Sequence, residues 1–431
     1  MQIEVNKLAR FILKQCNLNR FILGQTHFYV FFIAVAIVTC LFSSSVPAEA
    51  AGVATGGSRI SEIIILGNSR TSDEVILRQL PFSPGDDWRD GYLDLTLTRL
   101  EAMNCFDPLS LRVITEPLPG GDLRVVVRAS DTHILYLDPL EFFIINMQNL
   151  FSNYYTQTFY NPFGTGLNLT AGGGWGANPW ISLGFSQSLS NGWFLKGNIE
   201  WSKNHRRFYP FNDPPGFSST GFFTGISLLR YAFGDCEYGG TINYSPVQVS
   251  VDGVESLSQA YLSIGPDFKW SGWLECRLAL RYALDLAGNF SSYPAASTVF
   301  LRRQPIGKDE FFTTLYAGYM GKSAPLNRRF VIGGFGSVPL RGFSPAFTGH
   351  TYLSASLEYR HLLSRNSWLL AFVDYGRAWS DHERTTGYDW ESGAGVGLAV
   401  GTPLGYPVRL DLAYGLTGGG LAWRIWMDKN F

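Results

Sequence analysis

The chain has no apolar run long enough to cross a bilayer as a helix. Its one sustained run, FYVFFIAVAIVTCLF from Phe28 to Phe42, is 15 residues long, short of the roughly 20 that a helical span requires. Charge is also scarce, at 16% of 431 residues, and the 34 Lys and Arg do not outnumber the 35 Asp and Glu. Without a basic surplus there is no electrostatic footprint for nucleic acid. Histidine is rare: beyond residue 50 it occurs as His133, His205, His350, His361 and His382, with no metal-ligand spacing and no GxSxG motif nearby. An enzyme would need a nucleophile with its base, or paired carboxylates in a cleft, so neither catalysis nor a cofactor is expected. Cys105, Cys236 and Cys276 follow residue 50 at unrelated spacings, an odd set that makes neither a disulfide framework nor a CxxC metal site.

The excess lies in apolar and aromatic residues that are scattered rather than massed. The chain is 46% hydrophobic and 15% aromatic, with 47 Gly, and its mean hydropathy is +0.03. Helical membrane proteins concentrate apolar residues into long runs, whereas membrane barrels dilute them into alternating strands with aromatic girdles and Gly-rich turns. The 15-residue run has a different explanation. Lys7, Arg10, Lys14 and Arg20 precede it, and Ala48-Glu49-Ala50 follows, the layout of a secretory signal peptide over residues 1–50 cut after Ala50. Cys40 lies inside the apolar core after Thr39, which argues against a lipoprotein. Removal of four basic and two acidic residues leaves 30 against 33, a formal charge of −3.

Beyond the leader the texture changes once. Residues 59–130 read as a small α+β domain in the order β-α-α-β-β. A strand, ISEIIIL, stops at Gly67-Asn68; Thr71-Ser72-Asp73 opens a helix through DEVILRQL to Pro81; and a second helix over YLDLTLTRLEAM places Leu93, Leu97 and Leu100 at helical spacing. The expected core is Ile63, Ile65, Leu77, Leu97, Leu100, Val125 and Val127. From residue 133 to 431 helix signals vanish and period-two alternation takes over. Leu353, Ala355, Leu357 and Tyr359 oppose Ser354, Ser356, Glu358 and Arg360; Val408, Leu410, Leu412, Tyr414 and Leu416 oppose Arg409 and Asp411. Strands of about ten residues suit a tilted crossing of the hydrocarbon layer. Sixteen antiparallel strands are expected, the first near 133–145 and the second near 150–160. Connections are short on one side and long on the other, the longest at 321–349. The fold class is therefore a membrane all-β barrel preceded by one small α+β domain.

Several motifs resemble a known superfamily. Ile60 to Asn68, Phe82-x-x-Gly85-Asp86 and Asn104-x-Phe106 resemble a POTRA domain. Asn161-Pro-Phe-Gly164-Thr-Gly166, Gly333-Gly334 with Leu340-Arg341-Gly342-Phe343, Leu357-Glu358-Tyr359-Arg360 and Phe372-Val-Asp374-Tyr-Gly376 resemble the barrel of the BamA/TamA superfamily of outer-membrane insertases and translocases. The resemblance implies a bacterial outer-membrane location with the POTRA domain in the periplasm. It also implies unfolded outer-membrane or secreted proteins as clients, accessory periplasmic proteins that could join the POTRA sheet edge, and a barrel seam through which clients pass. A passive pore or structural barrel remains the alternative, since a barrel of this size can hold water.

The residues themselves single out one contact. A connection of 29 residues rich in Gly is too long for a simple hairpin, and such loops are usually functional. If it folds into the lumen, Arg341 can form a paired, shielded contact with a carboxylate. Asp374 is the first candidate, because a charge in the strand WLLAFVDYG belongs inside the barrel rather than in lipid; Phe372 and Gly376 share its face. Glu358 is the second. The loop clamp is thus expected to comprise Arg341, Gly342, Phe343, Asp374 and Glu358. At the C-terminus Leu421, Trp423, Ile425, Met427 and Phe431 share one face of an alternating strand, which resembles the terminal signal by which barrels are recognised for insertion.

Overall fold

The computed structural model describes residues 58–427, apart from 108–109, 136–153, 177, 208–215, 233–235, 252–253, 272–273, 290, 326–327, 334–337, 344–346, 365, 381–389 and 402–406. The leader and its cleavage site lie outside the described residues, as does most of the first expected strand. The small domain comprises β1 (Ile60–Leu66), α1 (Asp73–Leu77), α2 (Tyr92–Ala102), β2 (Arg112–Pro117) and β3 (Leu123–Arg128), with sheet order β1-β3-β2. β1 runs parallel to β3 and β2 antiparallel to it. One sheet face packs on the helices through Ile60, Val113, Val125 and Val127 against Val75, Ile76, Leu80, Tyr92 and Leu100.

Both helices depart from the sequence expectation in informative ways. α1 stops at Leu77 rather than Leu80. Gln79 and Leu80 instead donate to the carbonyls of Ile76 and Leu77, a tightened final turn of the kind found at helix ends, just before Pro81, which has no amide hydrogen to continue the ladder. Leu77 is exposed and drops out of the expected core, and Leu93, at helical spacing with Leu97 and Leu100, is exposed as well. Val75, Ile76, Gln79 and Leu80 take the inward positions beside α1, while Tyr92, Leu95, Thr96, Arg99 and Leu100 do so on α2. The remaining expected positions hold, with Leu100, Val125 and Val127 buried and Ile63, Ile65 and Leu97 packed against them.

Among the described residues, fifteen further strands form one sheet. They are β4 (Tyr154–Phe159), β5 (Leu167–Gly174), β6 (Trp180–Ser188), β7 (Trp193–Arg207), β8 (Gly216–Ala232), β9 (Cys236–Val251), β10 (Val254–Trp270), β11 (Glu275–Asp285), β12 (Tyr293–Ile306), β13 (Asp309–Met320), β16 (Thr351–Ser364), β17 (Ser367–Trp379), β18 (Glu391–Gly401), β19 (Pro407–Gly415) and β20 (Leu421–Met427). Each pairs antiparallel with the next from β4 to β20, and a hairpin of β14 (Phe330–Ile332) and β15 (Phe347–Gly349) lies in the connection between β13 and β16. Alternation sets the two faces: Ile181 and Leu183, Leu410 and Leu412, and Val373 and Tyr375 all point to the exposed side, the lipid face of a barrel. β9 and β10 run 16 and 17 residues, beyond the roughly 9–11 that a tilted crossing needs. They therefore project past the apolar layer.

The domain is built onto the barrel. Phe194 at the start of β7 is fully buried in the domain's own core, with Tyr231 of β8 packed against it at a ring distance of 5.2 Å. Three strand turns on this side carry the joint. At the turn between β4 and β5, Asn161 donates from Nδ2 to Thr71 Oγ1 at 2.6 Å and Asn168 donates to the Met103 carbonyl at 2.7 Å. Gly164 has φ +73, and a Cβ there would collide with the Arg70 carbonyl, so glycine is required for the approach. At the next two turns, the amide of Asn191 donates to the Arg78 carbonyl at 2.8 Å, and Arg99 donates to the Tyr231 carbonyl at 3.2 Å while binding its own domain through the Gln79 carbonyl.

Asp131 orders the loop that enters this joint. It accepts backbone N–H bonds from Ser69, Arg70 and Thr71 at 2.7, 2.6 and 3.0 Å, and a further bond from the Thr71 hydroxyl. Burial would raise its pKa, but the bonds from the Thr71 hydroxyl and the three amides prevail and hold the carboxyl below its ordinary value. A depressed carboxylate stabilises the fold at every pH above its unfolded value and loses that contribution as pH falls through the folded one. Loss of helix signal below about pH 4 should therefore be shallower in Asp131→Asn than in the parent. At neutral pH that variant should be less stable by about 1 kcal/mol, the low end for a charged acceptor because the site is partly exposed. Identical acid titrations of the two proteins would refute this role.

Candidate functional site in the barrel lumen

The inward faces of β16, β17 and β19 carry charges that lipid would not tolerate, and together they form one cluster. On β16, Ser354, Ser356, Glu358 and Arg360 are buried while Leu357 faces outward. On β17 Phe372 and Asp374 are buried, on β19 Arg409 and Asp411. β18 contributes mainly small residues here, Gly393, Gly395 and Gly397. A Cβ at Gly393 would strike the Arg341 carbonyl, one at Gly395 the Phe372 ring, and one at Gly397 the Asp411 carboxylate. These glycines leave the room in which the loop and the charges fit.

The long loop comes down onto this surface. Leu340, Arg341 and Phe343 are 0, 5 and 5% exposed, and Val338, Ile332 and Tyr352 pack with Leu340 and Phe343 in one apolar cluster. Gly342 has φ +89, and its close contact with the Tyr414–Gly415 backbone leaves no space for a side chain. Its carbonyl accepts the amide of Gly420 at 2.9 Å.

Arg341 makes a two-pronged contact with Asp374, Nε to Oδ2 and Nη2 to Oδ1, both at 2.7 Å. Its backbone amide also donates to Asp374 Oδ2 at 2.9 Å. Ser356 links the pair by accepting from Arg341 Nη2 at 2.9 Å and donating to Asp374 Oδ1 at 2.7 Å. Nη1 reaches Glu358 Oε2 at 3.3 Å and lies 3.9 Å from Asp411. The guanidinium sits over the Phe372 ring at 3.4 Å, a cation–π contact in a shielded place. Glu358 also receives Arg409 at 3.0 and 2.6 Å and Arg360 at 2.8 Å. Arg409 in turn binds Asp411 at 2.8 Å. Three guanidinium groups thus meet three carboxylates, and their charges balance within the buried cluster. Such a network can fix a loop, because each charge is paired and hydrogen-bonded. Among the described residues no group of His, Cys, Asp and Glu is arranged to hold a metal ion.

All five clamp residues expected from sequence come together here, and Arg341 engages Asp374 and Glu358 at once rather than choosing between them. Arg360, Arg409, Asp411 and Ser356 were not assigned to the clamp. Their signal was present, since each occupies a polar position on the charged face of its strand, but nothing in a linear pattern says that β16 and β19 converge on one loop. Trp423 of β20 is largely exposed on the outer face. Ile425 and Met427 lie in the same strand, and Phe431 lies outside the described residues.

Comparison with known proteins agrees with this architecture. Residues 271–419 match the Omp85 superfamily domain, a segment that contains every charged member of the cluster. A search of curated proteins finds no match. Among solved structures, CdiB from Acinetobacter baumannii is similar with TM-score 0.63 and 13% identity over 86% of this chain and 74% of that one. BamA from Haemophilus ducreyi lacking POTRA domains 1–3 is similar with TM-score 0.54 and 15% identity over 86% of this chain and 83% of that one. At these identities the likeness is one of fold. Residues 271–419 thus carry an Omp85 superfamily domain, within a chain that has the fold of the CdiB and BamA barrels.

Proposed function

We propose that the chain inserts or exports unfolded client polypeptides at the outer membrane, with the small domain serving as a POTRA module in the periplasm. The observation that carries this reading is the buried charge cluster that seats the long loop in the lumen. A passive pore has no need to commit six buried charges to holding a loop across its own conduit. In this reading clients, or accessory periplasmic proteins, add a strand at the edge of the domain's sheet. β2 is such an edge, outermost in the order β1-β3-β2, with all but one of its residues exposed. The domain's seating under the turns of β4 to β8 would hold that edge at a fixed place beside the barrel. Clients would then reach the bilayer through a seam between the first and last barrel strands. Depletion of the protein followed by quantitation of the outer-membrane and secreted proteomes tests this. Loss of a defined set of barrels or secreted proteins is the expected result. An unchanged proteome with reduced uptake of small solutes would mean a passive pore.

A further inference from the structure

The outer face of the sheet carries an arginine at the rim where the small domain is seated. Trp193 of β7, Arg230 of β8, Tyr238 of β9 and Phe268 of β10 are cross-strand partners in one row. Alternation puts them on the face that Ile199, Leu228 and Ile242 expose to lipid, and Phe268 is itself exposed. The row lies within two residues of the strand ends, so its rings form a girdle at the edge of the apolar layer, where Trp and Tyr meet the lipid headgroups. Among the described residues the partners of Arg230 are neutral. Its Nη1 donates to Tyr238 Oη at 3.0 Å, and the guanidinium stands 5.6 Å from the centre of the Trp193 ring, which meets the Tyr238 ring edge to face at 6.1 Å. The buried Nε has no hydrogen-bond partner among those residues.

A second arginine approaches from the domain. Arg99 of α2 is buried. Its Nε and Nη2 donate to the carbonyl of Tyr231, the residue after Arg230, at 3.3 and 3.2 Å, and its Nη1 donates to the Gln79 carbonyl at 3.0 Å. A Cβ at Gly192, the residue before Trp193, would strike Arg99 Nε, so the glycine admits the guanidinium to the ends of β7 and β8. Burial, and after it the Arg230 guanidinium, lowers the Arg99 pKa to about 10, as expected of two like charges in a shielded place. Glu237 does not neutralise them. As the cross-strand partner of Tyr231 it lies on the opposite face from Arg230, bonded to the Tyr231 side chain. Two cations thus meet at this rim with carbonyls, a phenol and an indole as their described partners.

We propose that Arg230, with Trp193 and Tyr238, binds the phosphodiester of a phospholipid in the periplasmic leaflet, and that Arg99 behind it couples the bound headgroup to the seating of the domain. A charge on the lipid face is tolerated where it reaches headgroup level. The complementary group present at that level is phosphate, which a guanidinium grips through two parallel bonds. An anionic phospholipid is the preferred occupant, because it brings a net negative charge to two cations. Its phosphate relieves the repulsion between Arg230 and Arg99 and so strengthens the Arg99 bonds that join α2 to β8. This rests on the periplasmic placement of the domain proposed above, which protease accessibility in intact cells tests separately.

The test titrates the full-length protein in detergent with phosphatidylglycerol, counts bound lipids by native mass spectrometry, and uses heat-modifiable migration as the control for a folded barrel. Arg230→Gln is expected to weaken binding of the first lipid about tenfold or more, the effect of losing a charge-assisted contact. Arg230→Lys keeps the charge but loses the fork, and its affinity should fall between those of Arg230→Gln and the parent. Arg302→Gln removes an arginine from the same face of β12, in register with Thr313 and the exposed Leu357, and should leave the affinity unchanged. An excess of inorganic phosphate should not displace the lipid. In nanodiscs, replacing phosphatidylcholine by phosphatidylglycerol should slow amide exchange in α2 of the parent about three- to tenfold and have no effect in Arg230→Gln. Equal affinities of the parent and Arg230→Gln, an equal loss in Arg302→Gln, or displacement by inorganic phosphate would overturn the lipid site. Exchange in α2 that ignores the lipid would overturn the coupling to the domain. A domain found on the cell surface would overturn the periplasmic placement, and with it the choice of leaflet, without altering the measured affinities.

Discussion

Arg341→Ala is expected to abolish activity while leaving a folded barrel in the membrane. The side chain is 5% exposed, and its removal strands Asp374 and weakens the pairing of Glu358. Breaking one side of a buried, hydrogen-bonded ion pair costs about 3–5 kcal/mol, because the remaining charge keeps its desolvation penalty without its partner. The strand ladders are untouched, so that cost falls on the loop: residues 338–343 should detach and become cleavable near Phe343, while heat-modifiable migration persists. Glu358→Gln should do at least as much, since it leaves three guanidinium groups facing two carboxylates. An isolated Arg–Asp pair would be rescued by exchanging its members. Here the exchange R341D/D374R is expected to fail, because the new carboxylate at 341 would lie beside Glu358 and Asp411, which are 3.3 and 3.9 Å from the present guanidinium. Full activity and a protected loop in Arg341→Ala, or rescue by the exchange, would show that the network does not act as a unit.

Phe194→Ala is expected to loosen the small domain without opening the barrel. Phe194 belongs to β7 but is fully buried in the core that Val75, Ile76 and Leu100 form. Truncation of a buried phenylalanine costs about 3–5 kcal/mol, from lost apolar burial and the cavity that remains. The cavity would open at the joint between the two parts, so amide exchange in α1 and α2 of the detergent-solubilised protein should accelerate by about 100-fold or more, with the strand amides of β9 to β19 unchanged. Unaltered exchange in the helices would mean that the domain holds itself together without the barrel. The same contact bears on residues 59–130 expressed alone: the fragment lacks Phe194 and Tyr231 and leaves Val75 and Ile76 partly uncovered, so it should melt less cooperatively than the domain in the whole chain.

The sequence by itself determined what is local and periodic. Alternation of period two named the two faces of β16 and β19, and on β17, where both faces are apolar, the single charge of Asp374 named them, because an inward charge and an outward apolar side chain are the arrangement that lipid on one side of a sheet permits. The β-α-α-β-β order of the small domain was equally legible, since apolar spacing and the stops at Gly67 and Pro81 act over a few residues. The tertiary structure decided what depends on which distant surfaces meet. Leu77 and Leu93 are as apolar as their neighbours, yet they turn outward because the sheet covers another side of each helix. Arg409 and Asp411 are ordinary polar positions of one strand until the curvature of the wall brings Glu358 beside them and the loop lays Arg341 between. Phe194 belongs by sequence to a barrel strand, and only the docking of the domain makes it core. Burial of a charge or a ring is a property of the space around it, and that space is supplied by residues far away in the chain.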